Sequence, residues 1–380
     1  MIVNHARLHR VALPLVHGFK TSSHSKRHLE HIIVSLHDNE GNIGWGEIAS
    51  PSHPYFGPET TETCWQLAAT ELLPALLGTH WSTPAEAIAA WEKVRGNYFA
   101  KSGVEMAVWD LHAKAQGLSL ATALGGTRTE VTAGVSLGIE PTINELLNQV
   151  RTQVENGYSR IKLKIAPGWD VEPVKAVRGE FGDVMLHVDA NGVYNESPAH
   201  LRALHALDAH SLSMIEQPFA ADNLLAHARL QETIGTPVCL DESIENIFQL
   251  QTAIELGALR VLNIKVSRMG GLSAAVASHD LCLQHRIPVW CGGMHEFGIG
   301  RAANVALSSL PGFTLPSDVS ASEKYYHQDI LTVPITADGG QVRVPTGTGL
   351  GFTIDEEFLA ANTQRTESFS AGTVTSGERR

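Results

Sequence analysis

Apolar and polar positions follow two different rhythms along this chain. From Met1 to about Trp45 the pattern is that of strands: Val11 to Leu15 and His31 to Leu36 are rich in Val, Ile and Leu. Asp38-Asn39-Glu40-Gly41-Asn42 is a turn, and Gly44-Trp45-Gly46-Glu47 closes a hairpin. Between the first two runs, Gly18 to His24 is small and polar and predicts a mobile loop. Glu59 to Leu77 has helical spacing. At Thr83-Pro84-Ala85-Glu86 a Thr cap, a first-turn Pro and a reciprocal Glu mark another helix start. Val104, Ala107, Val108, Leu111 and Ala115 then lie on one helix face that ends near Gly117. A meander followed by helices predicts an α+β unit.

After Gly125-Gly126 the rhythm changes to strand and helix in alternation. Val131 to Leu137 predicts a strand and Thr142 to Asn156 a helix, with Ile143, Leu146, Leu147, Val150 and Val154 on one face and Gly157 past its end. The alternation runs through Pro288 to Cys291 and on to Phe313-Thr314-Leu315. Eight candidate strands favour a closed (β/α) barrel over an open doubly wound sheet. The expected fold class is therefore α/β: a barrel over 127–324 and an α+β capping domain over 1–126, rejoined by 325–380. Ile330 to Ile335 and Gln341 to Val344 read as strands of that last segment, and the Thr-, Ser- and Gly-bearing tail from about Ala361 as poorly ordered or peripheral.

Five short apolar segments inside the alternation end in charge: Ile161-Lys162-Leu163-Lys164, Leu186-His187-Val188-Asp189, Met214-Ile215-Glu216, Val238-Cys239-Leu240-Asp241 and Leu262-Asn263-Ile264-Lys265. An unpaired buried charge is very costly, so charge at the end of a buried strand needs a reason. The acidic ends and Lys265 follow one another at intervals of roughly 25 residues, one strand–helix–strand unit each, which brings them to the same end of a barrel. Any one acid alone is a helix cap or loop residue; three in succession repel unless a cation lies between them, and hard oxygen donors suit magnesium. Lys162 and Lys164 share one strand face. Two ammonium groups so close are expected to lower each other's pKa, which makes a lysine a base near neutrality.

Composition narrows the class further. Of 380 residues 43% are hydrophobic and 18% charged, enough apolar material for a large core. Twenty-eight Lys and Arg against 40 Asp and Glu leave a net charge of −12, which argues against a nucleic-acid partner. Cys64, Cys239, Cys282 and Cys291 have no paired spacing and read as buried thiols of a reducing compartment. No long apolar run suggests a signal peptide or membrane span, so a cytoplasmic protein is expected. The 19 histidines show no metal-ligand spacing.

The charged constellation resembles the enolase superfamily, and in particular its muconate-lactonizing subgroup, over nearly the whole chain. Lys162-Leu163-Lys164 is similar to that subgroup's Lys-x-Lys motif. Asp189, Glu216 (in Ile-Glu-Gln-Pro) and Asp241 (in Asp-Glu-Ser) match its magnesium ligands, and Lys265 its opposing lysine. Met106 to Leu111 with Lys114, Gly117 and Leu124-Gly125-Gly126 resembles its first-domain signature. Arg268 three residues after Lys265, the run Gly292 to Arg301 and Leu310 to Pro316 look like o-succinylbenzoate synthases that also racemise N-succinylamino acids. Relatives usually carry smaller or aliphatic residues where this chain has His295 and Phe297, and His295 reads as a pocket wall, not a catalyst. The Asp-x-Asp pair of dipeptide epimerases is missing at Pro316 to Val319.

This resemblance implies a magnesium-dependent lyase (manganese or another divalent ion substituting) of menaquinone biosynthesis, with racemase activity beside it. It acts on a small-molecule carboxylate and is expected to be a homo-oligomer. Lys164 would take the α-proton, Lys162 would tune it, and Lys265 would steady the anion or act from the opposite face. Phe19, Ser136, Asn191, Arg268, Gly293, Met294 and His295 are the expected substrate-binding set, with Phe19 to His24 and Ser52 to Phe56 closing over the barrel mouth. A dedicated N-acylamino acid racemase, another carboxylate lyase or racemase of the subgroup, and a non-catalytic metal-binding barrel are the alternatives.

Overall fold

The computed structural model describes residues 1–20 and 25–372. Three long antiparallel strands, β1 (Val3–Lys20), β2 (Ser25–Asp38) and β3 (Ile43–Ile48), start the chain. β4 (Glu130–Thr132) follows, and β5 (Val135–Leu137), β6 (Arg160–Lys164), β7 (Met185–Asp189), β8 (Met214–Glu216), β9 (Val238–Leu240), β10 (Val261–Ile264) and β11 (Val289–Cys291) alternate with helices. β12 (Gln341–Arg343) and β13 (Thr363–Ser370) complete the chain. β5 to β11 form one parallel sheet in sequential order, as an α/β barrel requires, and the separate antiparallel sheet runs β13-β1-β2-β3.

The eighth barrel strand expected at Phe313 to Leu315 does not form. That segment bridges the two edges of the sheet instead: Phe313 pairs with Val289 and Ser317 with Ala133. Ser317 N–H donates to Thr132 O at 2.9 Å, Gly134 N–H to Ser317 O at 2.8 Å, and Asp318 N–H to Cys291 O at 2.7 Å. Pro311 and Pro316 bound the segment and cannot donate to a ladder, so closure relies on a few hydrogen bonds. Likewise Val131 to Leu137 is two strands, not one, because β4 leaves the barrel to pair with β12. Ile330 to Ile335 makes only a single bridge, Leu331 to Ile354. Within the described residues, the tail expected to be poorly ordered or peripheral is ordered and peripheral: it supplies the edge strand β13, which pairs with β1 from His5–Ser370 to Val11–Thr363. Its polar composition is that of a sheet edge.

The helix starts follow their sequence signals. Thr142 and Thr83 cap helices Ile143–Glu155 and Pro84–Ala89 by accepting from Glu145 N–H and Glu86 N–H, while the Glu86 carboxylate accepts from Ser82 N–H. Helix Tyr98–Ala115 lies against β3 so closely that glycine is obligatory: a Cβ on Gly46 would stand 2.0 Å from Gly103 O. Two capping-domain carboxylates reach into the barrel's helices. Glu47 accepts from Phe297 N–H and Gly300 N–H at 2.8 Å each, and Glu105 from Leu272 N–H at 2.5 Å and Ser273 N–H at 2.8 Å. Each satisfies orphan donors at a helix start and places negative charge at the positive end of its dipole.

In the barrel Ile161, Leu163, Val188, Ile215, Leu240 and Ile264 face the helices as part of the main core. The inward floor is Met214, Cys239, Val261 and Trp290. Arg160 and Lys162 lie over the Trp290 ring at 5.0 and 4.9 Å. Alternation along β6 thus turns Lys162 and Lys164 into the barrel.

Candidate active site

Strand register builds the site. Lys164 pairs with Asp189, and Asp189 with Glu216, in one row across β6, β7 and β8. Asp241 and Lys265 are the residues just past β9 and β10. All three carboxylates are fully buried, as expected of strand ends pointing inward. The Lys162 ammonium lies 2.9 Å from Asp189 and 2.6 Å from Glu216, Lys164 Nζ 2.5 Å from Asp189, and Lys265 Nζ 2.8 Å from Asp241. The lysines of β6 and the lysine after β10 therefore flank the acids, with three strands between them.

At Lys162 the electrostatics differ from the lowering expected of a neighbouring ammonium. Burial works against the charge on Lys162, but Asp189 and Glu216 prevail and hold it well above its ordinary value. Burial likewise opposes Lys265, and Asp241 raises it. Glu216 is held well below the usual carboxylate range by Lys162 against its own burial. Adjacent ammonium groups repel, yet Lys162 has two carboxylates within 3 Å, and attraction at ion-pair distance wins there.

Several participants carried no sequence signal. His187, kept neutral by burial with a pKa of about 4, lies with Nε2 2.7 Å from Glu216 Oε2, and Asn263 Nδ2 donates to Glu216 Oε1 at 2.8 Å. Glu242 is pushed up to about 8 by burial and by the charges of Asp241 and Asp189. Asp318, after the bridging segment, accepts from Arg160 at 2.7 Å and from Ser136 Oγ at 3.0 Å. Only the packed fold reveals them, because each acts across strands far apart in sequence.

The expected substrate-binding residues divide. Ser136, Gly293 and His295 line a narrow cavity with Lys162, Lys164 and Lys265. His295 stacks on Tyr325, centroids 5.0 Å apart, with its backbone in the left-handed region at φ 63°. Asn191 Oδ1 accepts from Lys164 Nζ at 2.8 Å, and its Nδ2 donates to Glu242 at 2.9 Å. Met294 lines a neighbouring cavity of 290 Å³ with Arg27, His31 and Tyr55. Arg268 is not in the cavity wall. It is buried and spent on Asp241, Ile244 O and Asn263 O, which positions Asp241. Of Phe19 only the backbone in β1 is described, and 21–24 of the expected closing loop lie outside the described residues. From the second loop, the Phe56 ring sits 4.5 Å from Lys265 Nζ.

In this arrangement ammonium groups lie among the carboxylates. No three His, Cys, Asp or Glu side chains among the described residues form a ready-made ion cage. The donor set nonetheless fits a hard divalent ion. Asp189, Glu216 and Asp241 offer only oxygen, and buried Glu242 Oε2 beside them has no hydrogen-bond partner.

Comparison with known proteins agrees with the geometry. Residues 5–125 match the family model of the mandelate racemase / muconate lactonizing enzyme N-terminal domain, and residues 145–358 that of the enolase C-terminal domain-like family. Enzymes of these families generally depend on a divalent metal ion. The o-succinylbenzoate synthase of Geobacillus kaustophilus is 43% identical over 367 residues, 97% of each chain. An N-succinylamino acid racemase of Amycolatopsis sp is 45% identical over 360 residues, 94% of this chain and 97% of that one. A crystal structure of an enolase-superfamily member from Listeria innocua superposes with a TM-score of 0.94 at 38% identity, covering 98% of this chain and all of that one. Among the described residues no helix is long and apolar enough to cross a membrane. With both family models matched along most of its length and full-length relatives above 40% identity, this chain belongs to the mandelate racemase / muconate lactonizing enzyme group of the enolase superfamily.

Proposed function

We propose that this protein is an o-succinylbenzoate synthase of menaquinone biosynthesis, acting in the cytoplasm, that also racemises N-succinylamino acids. The observation that carries the reading is the placement of Lys164 and Lys265 on opposite flanks of three buried carboxylates. Relatives bearing both names, at more than 40% identity, support the substrate class.

Both reactions begin by removing a proton α to a carboxylate, which costs the most because the product is an enediolate. Asp189, Glu216 and Asp241 would hold a divalent ion, magnesium or manganese in its place, which when bound supplies Lewis-acid stabilisation of that second negative charge. In the dehydration Lys164 takes the α-proton, and its ammonium then returns a proton to the departing hydroxyl on the same face, so that water leaves. Lys265 remains charged and steadies the anion from the other side. In racemisation Lys164 and Lys265 exchange roles: one removes the α-proton and the other delivers one to the opposite face. Lys162, held charged by Asp189 and Glu216, stays a fixed cation. Asn191 orients Lys164 through the 2.8 Å hydrogen bond. Phe56 over Lys265 keeps water from that flank.

Measuring kcat/KM for o-succinylbenzoate formation and for N-succinylamino acid racemisation on one preparation tests the reading. Both activities are expected, with o-succinylbenzoate formation the more efficient. Efficient racemisation without o-succinylbenzoate formation would make the protein a dedicated racemase, and inertness towards both would point to another carboxylate.

A further inference from the structure

A hollow of 550 Å³ lies beside the narrow lysine cavity, between β1 of the capping domain and β5 of the barrel. Val16, His17, Leu137, Tyr158, Lys324 and Tyr325 contribute to its wall. Ser136 and Tyr325 line both spaces, so the two meet across these side chains. Lys324 ends the short turn Ser322–Lys324 and is half-buried. Its Nζ donates to Ser136 O at 3.2 Å and stands 5.4 Å from the centre of the Tyr325 ring.

Lys324 differs from the other ammonium groups nearby. Lys162, Lys164 and Lys265 each have a carboxylate within 3 Å. Among the described residues no carboxylate lies at ion-pair distance from Lys324. Asp318 acts on it only from farther away, being engaged by Arg160 and Ser136. Glu140 and exposed Glu323 also line the hollow, and neither pairs with it. Burial pulls Lys324 down to about 7, and Arg160 and Arg301 add to this. Among the described residues its one hydrogen bond goes to a backbone carbonyl, so an entering anion would supply the counter-charge that this half-buried ammonium lacks.

We propose that Lys324 receives a second carboxylate of the substrate, carried into this hollow on a short chain while the reacting carboxylate stays among the catalytic lysines. The inference rests on the function proposed above and deepens it by assigning the residue that selects a dicarboxylate. A succinyl tail suits the place: its aliphatic carbons can lie along the wall made by His295 stacked on Tyr325, and its charged end reaches Lys324 beyond that ring. A neutral acyl tail would fill the same volume and leave the ammonium without a counter-charge.

The test compares racemisation of an N-succinylamino acid with that of its succinamoyl analogue, in which a terminal amide of the same shape replaces the distal carboxylate. Wild type is expected to favour the succinyl substrate about tenfold or more in kcat/KM, the worth of one charge-assisted hydrogen bond. In Lys324→Met that ratio should fall to within about twofold of unity, the loss appearing in KM, and Lys324→Arg should restore a clear preference. A ratio unchanged in Lys324→Met, or equal rates on both substrates in wild type, overturns the assignment while leaving the racemase reading intact. No turnover of either substrate by wild type sinks both.

Discussion

At Glu216 three neighbours meet on one carboxylate: Lys162 at 2.6 Å, His187 at 2.7 Å and Asn263 at 2.8 Å. Glu216→Gln removes the charge with little change of shape, and so separates the role of the charge from that of the packing. If Glu216 is an ion ligand, adding magnesium should raise the melting temperature of wild type by mass action. The substitution should weaken the ion's apparent affinity by about tenfold or more, and o-succinylbenzoate formation should fall with it. An unchanged melting-temperature increment in Glu216→Gln would remove this residue from the ion site. Chelation of wild type should abolish turnover on the same grounds.

At the scale of elements, His227 shows how a helix holds the loop behind the site. Its Nδ1–H donates to Asn223 O at 2.9 Å, and its Nε2 accepts from Phe219 N–H at 3.3 Å, fastening helix Leu224–Thr233 to the segment after β8. Burial lowers its pKa from 6.5 to about 4, and protonation would put a hydrogen where Nε2 must accept. The unfolded chain binds this proton below about pH 6.5 while the folded chain resists it until about pH 4. Stability from this group is therefore fully present above pH 6.5 and is lost as pH falls towards 4, by up to about 3 kcal/mol. His227→Gln, which keeps an acceptor but no titration, should flatten that part of the stability curve in denaturant melts from pH 7 to 4.5. An unaltered slope would mean that His227 does not contribute to it. Glu47 and Glu105 work at the same scale, tying capping strand and helix to the starts of two barrel helices.

At the scale of the whole molecule, the sequence makes some parts legible and hides others for physical reasons. The barrel's charged strand ends were readable because a buried strand tolerates charge only with a purpose, and register then places Lys164, Asp189 and Glu216 in one row. The missing eighth strand was not readable: the apolar run at Phe313 to Leu315 reports burial, whereas pairing depends on the neighbouring prolines and on two distant edges. β13 was hidden because an edge strand has the composition of a loop. Lys324, Asp318 and Glu242 stayed silent because their burial arises from packing between units far apart in the chain. The state of Lys162 is not legible because spacing shows the like-charged neighbour and not the two acids that outweigh it.

The central claim is that Lys164 and Lys265 address one α-carbon from opposite faces. Exchange of the α-proton of each N-succinylamino acid enantiomer in deuterium oxide, followed by proton NMR for wild type, Lys164→Ala and Lys265→Ala, measures this directly. Wild type should exchange both enantiomers. Lys164→Ala should abolish racemisation and exchange of the enantiomer whose proton faces Lys164, and Lys265→Ala should do the same for the opposite enantiomer, each with a loss of about a thousandfold or more. Exchange of both enantiomers by Lys164→Ala at near wild-type rates would contradict the account and place the base elsewhere.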